Sequence, residues 1–269
     1  MLTPHHPLRV AVVCSHRAPG LLYLLNQSPD RGFVYEIVCC VATEPTFVEE
    51  VRVERRGIPT LSNPIADFYA HRGADIRDLD VRAEYDRRTL AMIEPFLPDL
   101  ILLDGCLYLV TAPLLERFRN RVLNLHFADL TLRTRSGAPQ FPGVRAVRYA
   151  LAAGERETRA TVHLVDAMPD AGPPIVRSWP FPVSPLVADL RGTEALDVFK
   201  AYAYAHEQWM LRTVSGPLMA AALRLVSGGA VQLDALASRQ EPAAPWLLER
   251  NESLLAPSVE TALAAAGVM

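Results

Sequence analysis

The chain has 269 residues, of which 50% are hydrophobic and 21% charged, with a formal net charge of −3. That length holds one sizeable α/β domain or two small ones, and the apolar share is enough for a buried core. The charge balance offers no footprint for nucleic acid or an anionic membrane surface, and no apolar run reaches the roughly 18 residues of a membrane span.

In chain order, residues 8–14 (L-R-V-A-V-V-C) read as a buried parallel strand, followed by an apolar helix over 20–26. Residues 34–42 read as a second strand. A charged helix over roughly 46–56 stops at Gly57-Ile58-Pro59, and a short strand follows. Helical spacing covers 82–96 and ends at Pro98-Asp99; residues 99–104 are a strand, 112–119 a short helix and 121–126 (R-V-L-N-L-H) the next strand. A long polar loop covers 127–143, and loops of that length in a compact domain usually serve function. Residues 144–153 are helical, 159–166 and 175–182 are strands, and a helical stretch over 193–227 has a breaker at Ser215-Gly216-Pro217. This β-α-β-α rhythm predicts a doubly wound, mostly parallel, Rossmann-like sheet with helices on both faces. The expected organisation is one catalytic domain over 8–235 and an Ala-, Glu- and Pro-rich tail over 236–269, partly helical or flexible.

Cys14, Cys39, Cys40 and Cys106 each sit in or beside an apolar run, with no C-x-x-C pair. They read as buried free thiols in a reducing cytoplasm, not as a disulfide framework or zinc site. The first fourteen residues lack the basic and long apolar segments of a secretory signal. His5, His6, His16 and His71 have no partners at ligand spacing, so no metal is expected. His206-Glu207-x-Trp209 lacks the second histidine of a zinc helix motif and reads as packing, with Glu207 toward the acceptor side.

Asn124-Leu-His126 carries the chemistry. Residues two apart in a strand share a face, so an amide and an imidazole stand side by side at a strand's carboxyl end, where open α/β sheets bind ligands. Further on, V-D-A-M-P-D-A-G-P-P (165–174) places Asp170 before a small-residue turn. An amide donor, a titratable ring and a carboxylate suit transfer of a group whose carbonyl oxygen becomes an oxyanion. Taken singly, each residue has a plainer reading: Asn124 as a turn cap, His126 as a satisfied buried ring, Asp170 as a turn residue.

Several segments, in order, resemble the 10-formyltetrahydrofolate-dependent formyltransferases. They are E-Y-D-R-R-T-L (84–90), P-D-L-I-L-L-D-G (98–105), R-V-L-N-L-H (121–126), F-P-G (141–143) before R-A-V-R-Y-A-L, and T-V-H-L-V-D-A-M-P-D-A-G-P (161–173). The superfamily includes the glycinamide ribonucleotide, methionyl-tRNA and sugar N-formyltransferases, and the resemblance covers about residues 8–230. It implies a seven-stranded, mostly parallel sheet and catalytic roles for Asn124, His126 and Asp170. Asn124 would donate to the formyl oxygen. His126 would stabilise the oxyanion and assist the leaving nitrogen. Asp170 would hold a proton on His126 and accept the amine's proton. His163 is expected to be a strand residue near the site without a catalytic role. The co-substrate implied is 10-formyltetrahydrofolate, with no metal. Its pterin would lie beside Leu107, Tyr108, Leu109 and Val110 and near Asp166 and Ala167, with Leu107, Leu109 and Val110 as apolar walls and backbone groups bonding the pterin edge. Tyr108 has two readings, ligand stacking or a half-buried loop aromatic.

The chain departs from the family's pattern in places. Where the glycinamide ribonucleotide enzymes have a Gly-rich phosphate loop, this chain has Cys14-Ser-His-Arg-Ala-Pro-Gly20, with one glycine and a proline that removes an amide donor. The loop after His126 is longer than the family's and lacks its H-P-S-L-L-P run; Arg133, Arg135 and Gln140 in it are candidates for binding an anionic or polar acceptor. The second domain of the methionyl-tRNA enzymes and the regulatory domain of the folate hydrolases are expected to be missing. The expected activity is formyl transfer to a primary amine of a small-molecule acceptor, without nucleic acid or membrane partners and with a homodimer left open. Alternatives are 10-formyltetrahydrofolate hydrolysis and a non-catalytic folate- or nucleotide-binding module of the same fold.

Overall fold

The computed structural model describes residues 7–15, 18–27, 35–45, 53, 56–185, 187, 196–239 and 244–248. Largely apolar runs make its central strands, β1 (Leu8–Cys14), β2 (Tyr35–Ala42), β4 (Leu100–Asp104) and β5 (Val122–His126), and the short β3 (Thr60–Ser62) forms one edge. Strands covered on both faces need no polar alternation, and Val10, Val12, Leu100, Leu102 and Leu123 are fully buried. The chain continues through β6 (Glu157–Thr158), β7 (Thr161–Leu164), β8 (Pro174–Arg177), β9 (Phe181–Pro182) and β10 (Trp246–Leu247).

The main sheet has eight strands in the order β10-β8-β7-β5-β4-β1-β2-β3, and β6 pairs with β9 in a separate ribbon. The resemblance implied seven; the extra edge strand is β10, which pairs parallel to β8. Pairing is parallel from β3 through β5 and antiparallel where β7 meets β5 and β8. The run 175–182 is therefore not one strand: β8 belongs to the main sheet and β9 to the ribbon.

The helices are α1 (Pro19–Leu25), α2 (Ile65–Arg72), α3 (Leu79–Ile93), α4 (Ala112–Arg117), α5 (Ala146–Ala153), α6 (Leu196–Ser227) and α7 (Leu233–Ala237). α2 has no counterpart in the sequence reading. α3 starts three residues earlier than its apolar spacing suggests, because the Asp78 carboxylate caps it by accepting from the amides of Asp80 and Val81. Most of the expected helix over 46–56 lies outside the described residues.

The breaker at 215–217 does not break α6, which runs through Pro217. An interior proline costs about 3 kcal/mol. Against that, Met210, Val214, Leu218, Met219, Ala222 and Leu223 are fully buried along this helix; each large apolar side chain so placed contributes about 1.5–3 kcal/mol. Packing overrides the local preference. The 127–143 loop is also less polar in space than in sequence. Ala128, Leu130 and Phe141 form a small core with Ala146 and Ala150 of α5. Thr134 and Ala138 close a turn, their backbone groups bonded at 2.9 Å.

Two buried carboxylates tie the strand-end loops to the scaffold. Asp86 of α3 accepts from both the amide and the hydroxyl of Thr111 at 2.6 Å, which anchors the far end of the loop after β4. Burial pushes Asp86 up to about 6, while the Thr111 hydrogen bonds oppose that rise. Asp104, the last residue of β4, accepts from the amides of Gly20 and Leu21 at 2.9 and 2.8 Å. Burial pushes it up to about 7.

Candidate active site

The parallel strands β1, β4 and β5 end on one edge of the sheet. Ser15, Gly105 and His126 at those ends line a cavity of about 700 Å³. Asn124 and His126 reach it from one face of β5, as the two-residue period requires. Antiparallel pairing with β7 sets His163 directly opposite Asn124. Opposed residues of such a pair project to the same face, so the register adds a second imidazole to the site.

The β7–β8 hairpin delivers the carboxylate. The Leu164 amide bonds to the Pro173 carbonyl at 3.0 Å. The Gly172 backbone lies against Leu164, where an added Cβ would stand 1.8 Å from the carbonyl oxygen. Asp170, two residues earlier, takes a left-handed conformation with φ 54°. Few residues other than glycine accept that region, and aspartate is among those that do. One carboxylate oxygen, Oδ2, accepts from the Gly143 amide at 2.7 Å. The other, Oδ1, lies 3.5 Å from His126 Nδ1 and 3.7 Å from His163 Nε2.

Hydrogen bonds define the roles of the ring nitrogens. A carbonyl oxygen only accepts, so His126 Nε2 donates to Phe141 O at 2.9 Å and Nδ1 is the nitrogen facing Asp170. By the same logic His163 Nδ1 donates to Leu164 O at 3.0 Å. Its Nε2 then accepts from Asn124 Nδ2 at 3.2 Å. Burial, helped by the neighbouring His126, pushes His163 down to about 4, against the pull of Asp170. His163 is therefore neutral at ordinary pH, and its 3.7 Å approach to Asp170 is not an ion pair. The neutral ring takes one N–H of the Asn124 amide and leaves the other free. The sequence reading placed His163 on a strand near the site without a catalytic role, with its interval to Asp170 as the signal, and cross-strand register sets it opposite Asn124.

All six residues expected around a pterin line the cavity: Leu107, Tyr108, Leu109, Val110, Asp166 and Ala167. Leu107 and Leu109 are 62% and 48% exposed, an apolar wall open to a ligand. The Tyr108 ring is already covered on one side by the Arg82 guanidinium, 4.7 Å from its centroid. Asp166 holds its own loop by accepting from the Met168 amide at 2.9 Å. Glu207 of α6 also lines the cavity, and burial raises its affinity for a proton.

The candidates in the 127–143 loop fare differently. Arg133, Arg135 and Gln140 are absent from the cavity wall. Arg133 instead donates to the Ala171 carbonyl at 3.4 Å, and its backbone bridges to Pro139. The loop folds over its own small core, and the Arg133 charge still acts on His163 and Asp166. Cys14, Cys39 and Cys40 are buried free thiols, and Cys106 is a half-buried one at the cavity. Among the described residues, no three His, Cys, Asp or Glu side chains cluster to hold a metal ion, and no helix is long and apolar enough to cross a membrane.

The molecule is thus a doubly wound α/β protein whose amide, imidazole and carboxylate groups meet at the strand ends. A family model described as formyl transferase matches residues 8–186. The phosphoribosylglycinamide formyltransferase of Mycobacterium tuberculosis (strain ATCC 25618 / H37Rv) is 39% identical over 180 residues, 67% of this chain and 74% of that protein. The trifunctional purine biosynthetic protein adenosine-3 of Drosophila melanogaster is 30% identical over 172 residues, 63% of this chain. The chain spans only 11% of that relative's length. Among solved structures, glycinamide ribonucleotide transformylase 1 of Symbiobacterium toebii has a TM-score of 0.61 at 25% identity, covering 84% of this chain and 90% of that one. The chain belongs to the formyl transferase family.

Proposed function

We propose that this protein transfers a formyl group from 10-formyltetrahydrofolate to a primary amine of a small molecule. One observation carries the reading. The Asn124 amide, oriented by neutral His163, meets the His126–Asp170 pair in a cavity also lined by the apolar loop 107–110, with Leu107 and Leu109 exposed.

The chemistry follows from that arrangement. The amine nitrogen attacks the formyl carbon, a C–N bond forms and the formyl oxygen becomes an oxyanion. The free N–H of Asn124 donates to that oxygen; one such donor is typically worth about 3–4 kcal/mol in the transition state. Asp170 accepts the proton released by the amine, directly or through a water. Its left-handed backbone and the Gly143 amide keep the carboxylate aimed inward. When protonated, His126 adds positive charge beside the oxyanion, and its proton goes to the folate nitrogen as the bond from that nitrogen to the formyl carbon breaks. Leu107, Leu109 and Val110 present the apolar surface that a pterin covers, and Glu207 faces the acceptor's side.

Release of tetrahydrofolate from 10-formyltetrahydrofolate, measured alone and with a library of amines, tests the proposal. Turnover that requires an amine is the expected result. Equal turnover without any amine would make the protein a hydrolase, and folate binding without turnover would make it a binding module; either result refutes the transferase reading.

A further inference from the structure

Strands β1 and β4 are neighbours, yet the chain leaves them in opposite directions, from β1 toward β2 and β3 and from β4 toward β5 and β7. A switch point of this kind, with a helix N-terminus above it, is where doubly wound sheets receive phosphate, because the first helical amides lack partners inside the helix. In this chain that place is filled from within. Pro19, the first residue of α1, has no amide hydrogen. The next two amides, of Gly20 and Leu21, both donate to Asp104 Oδ2. Asp104 is 1% exposed and directly precedes Gly105 of the cavity wall. Its backbone carbonyl accepts from Ser15, which lines the cavity with Pro19. α1 is also packed closely on α6: a Cβ on Gly20 would stand 2.2 Å from Met219 Sδ.

The cavity's charge is a second, independent observation. Its wall carries the carboxyl groups of Glu116, Asp166, Asp170 and Glu207 and, among the described residues, no lysine or arginine. A phosphate dianion would meet like charge there; the guanidinium that acts on Asp166 and His163, that of Arg133, is not part of the wall and donates to the Ala171 carbonyl.

We propose that Asp104 occupies, from inside the protein, the place an acceptor phosphate would take, so that the acceptor is a neutral or cationic amine without a phosphate group. The inference rests on the formyl-transfer reading and narrows its substrate class. It sets this chain apart from relatives named for a phosphoribosyl acceptor, despite the shared family.

Two measurements on the wild-type full chain test it. In the first, ribose 5-phosphate and inorganic phosphate are titrated calorimetrically in the absence of folate. No saturable binding tighter than about 1 mM is expected; a site of that strength would correspond to about 4 kcal/mol. In the second, phosphorylated and dephosphorylated forms of one amine acceptor are compared by kcat/KM, and the dephosphorylated form is expected to be used at least as well. Tighter phosphate binding, or a tenfold or greater preference for the phosphorylated acceptor, would overturn the proposal. A phosphate site built from His16 and Arg17, which lie outside the described residues, would appear as such binding and would count against it. The titration needs no turnover, so it separates this proposal from the one above: failure of formyl transfer with every amine would sink the transferase reading and leave the phosphate result standing.

Discussion

Substituting Gly172→Ala links the fold to the site through one methyl group. The added Cβ would stand 1.8 Å from the Leu164 carbonyl oxygen and 2.9 Å from its carbonyl carbon. Ordinary carbon–oxygen contact begins near about 3.3 Å, so the two backbones must part by roughly 1.5 Å. No left-handed φ is involved at this residue; the demand for glycine comes from close approach. Separation breaks the bond from the Leu164 amide to the Pro173 carbonyl and strains the pairing of His163 with Pro174. Overpacking and the lost hydrogen bond together amount to about 2–4 kcal/mol. For a chain of this size that lowers the melting temperature by on the order of 10 °C. Asp170 moves with the hairpin, and a displacement of about 1 Å at a reacting group can cost about a hundredfold in rate. Urea unfolding and folate turnover measured on the same preparation read both effects. A variant with the wild-type midpoint and the wild-type rate would refute the account of why this turn needs glycine.

Other outcomes follow from the same geometry. His126→Ala and Asp170→Asn are each expected to lower turnover by at least about two orders of magnitude while folate binding persists, and a near-wild-type rate in both would remove the mechanism. His163→Ala frees the Asn124 amide to rotate, so kcat should fall by roughly tenfold with little change in KM for the folate, whereas a purely structural histidine would leave kcat intact. His206 is pushed down to about 4 by burial, so its contribution to stability is present above about 6.5 and lost as pH falls toward 4. The stability gap between wild type and His206→Gln should therefore narrow over that window, and a constant gap would contradict it. Asp104 has the opposite sign: an acid held up at about 7 makes the folded state lose stability as pH rises from about 4 to 7. Asp104→Asn keeps an oxygen for Gly20 and Leu21, so its stability relative to wild type should rise across those pH values; an advantage that does not change with pH would mean Asp104 carries no burial penalty.

The alternation of strands and helices, and the shared face of Asn124 and His126, were legible in the sequence. Both depend on short-range periodicity: unbroken apolar runs for covered strands, and a two-residue repeat within β5. The turn that carries Asp170 was legible too, because aspartate, glycine and proline restrict the backbone locally. Contacts between distant segments were not. His163 joins Asn124 only because β7 pairs antiparallel with β5 in one register, and a slip of one residue would turn it to the other face. The breaker in α6 yields to burial that no local pattern reveals, and Arg133 donates to the Ala171 carbonyl instead of lining the cavity. Asp104 read only as the last residue of the strand over 99–104, and the chain around Pro19 as a weakened phosphate loop. Only the folded structure shows that one completes the other, since the carboxylate and the two amides it holds are more than eighty residues apart and meet only when β4 packs beside β1.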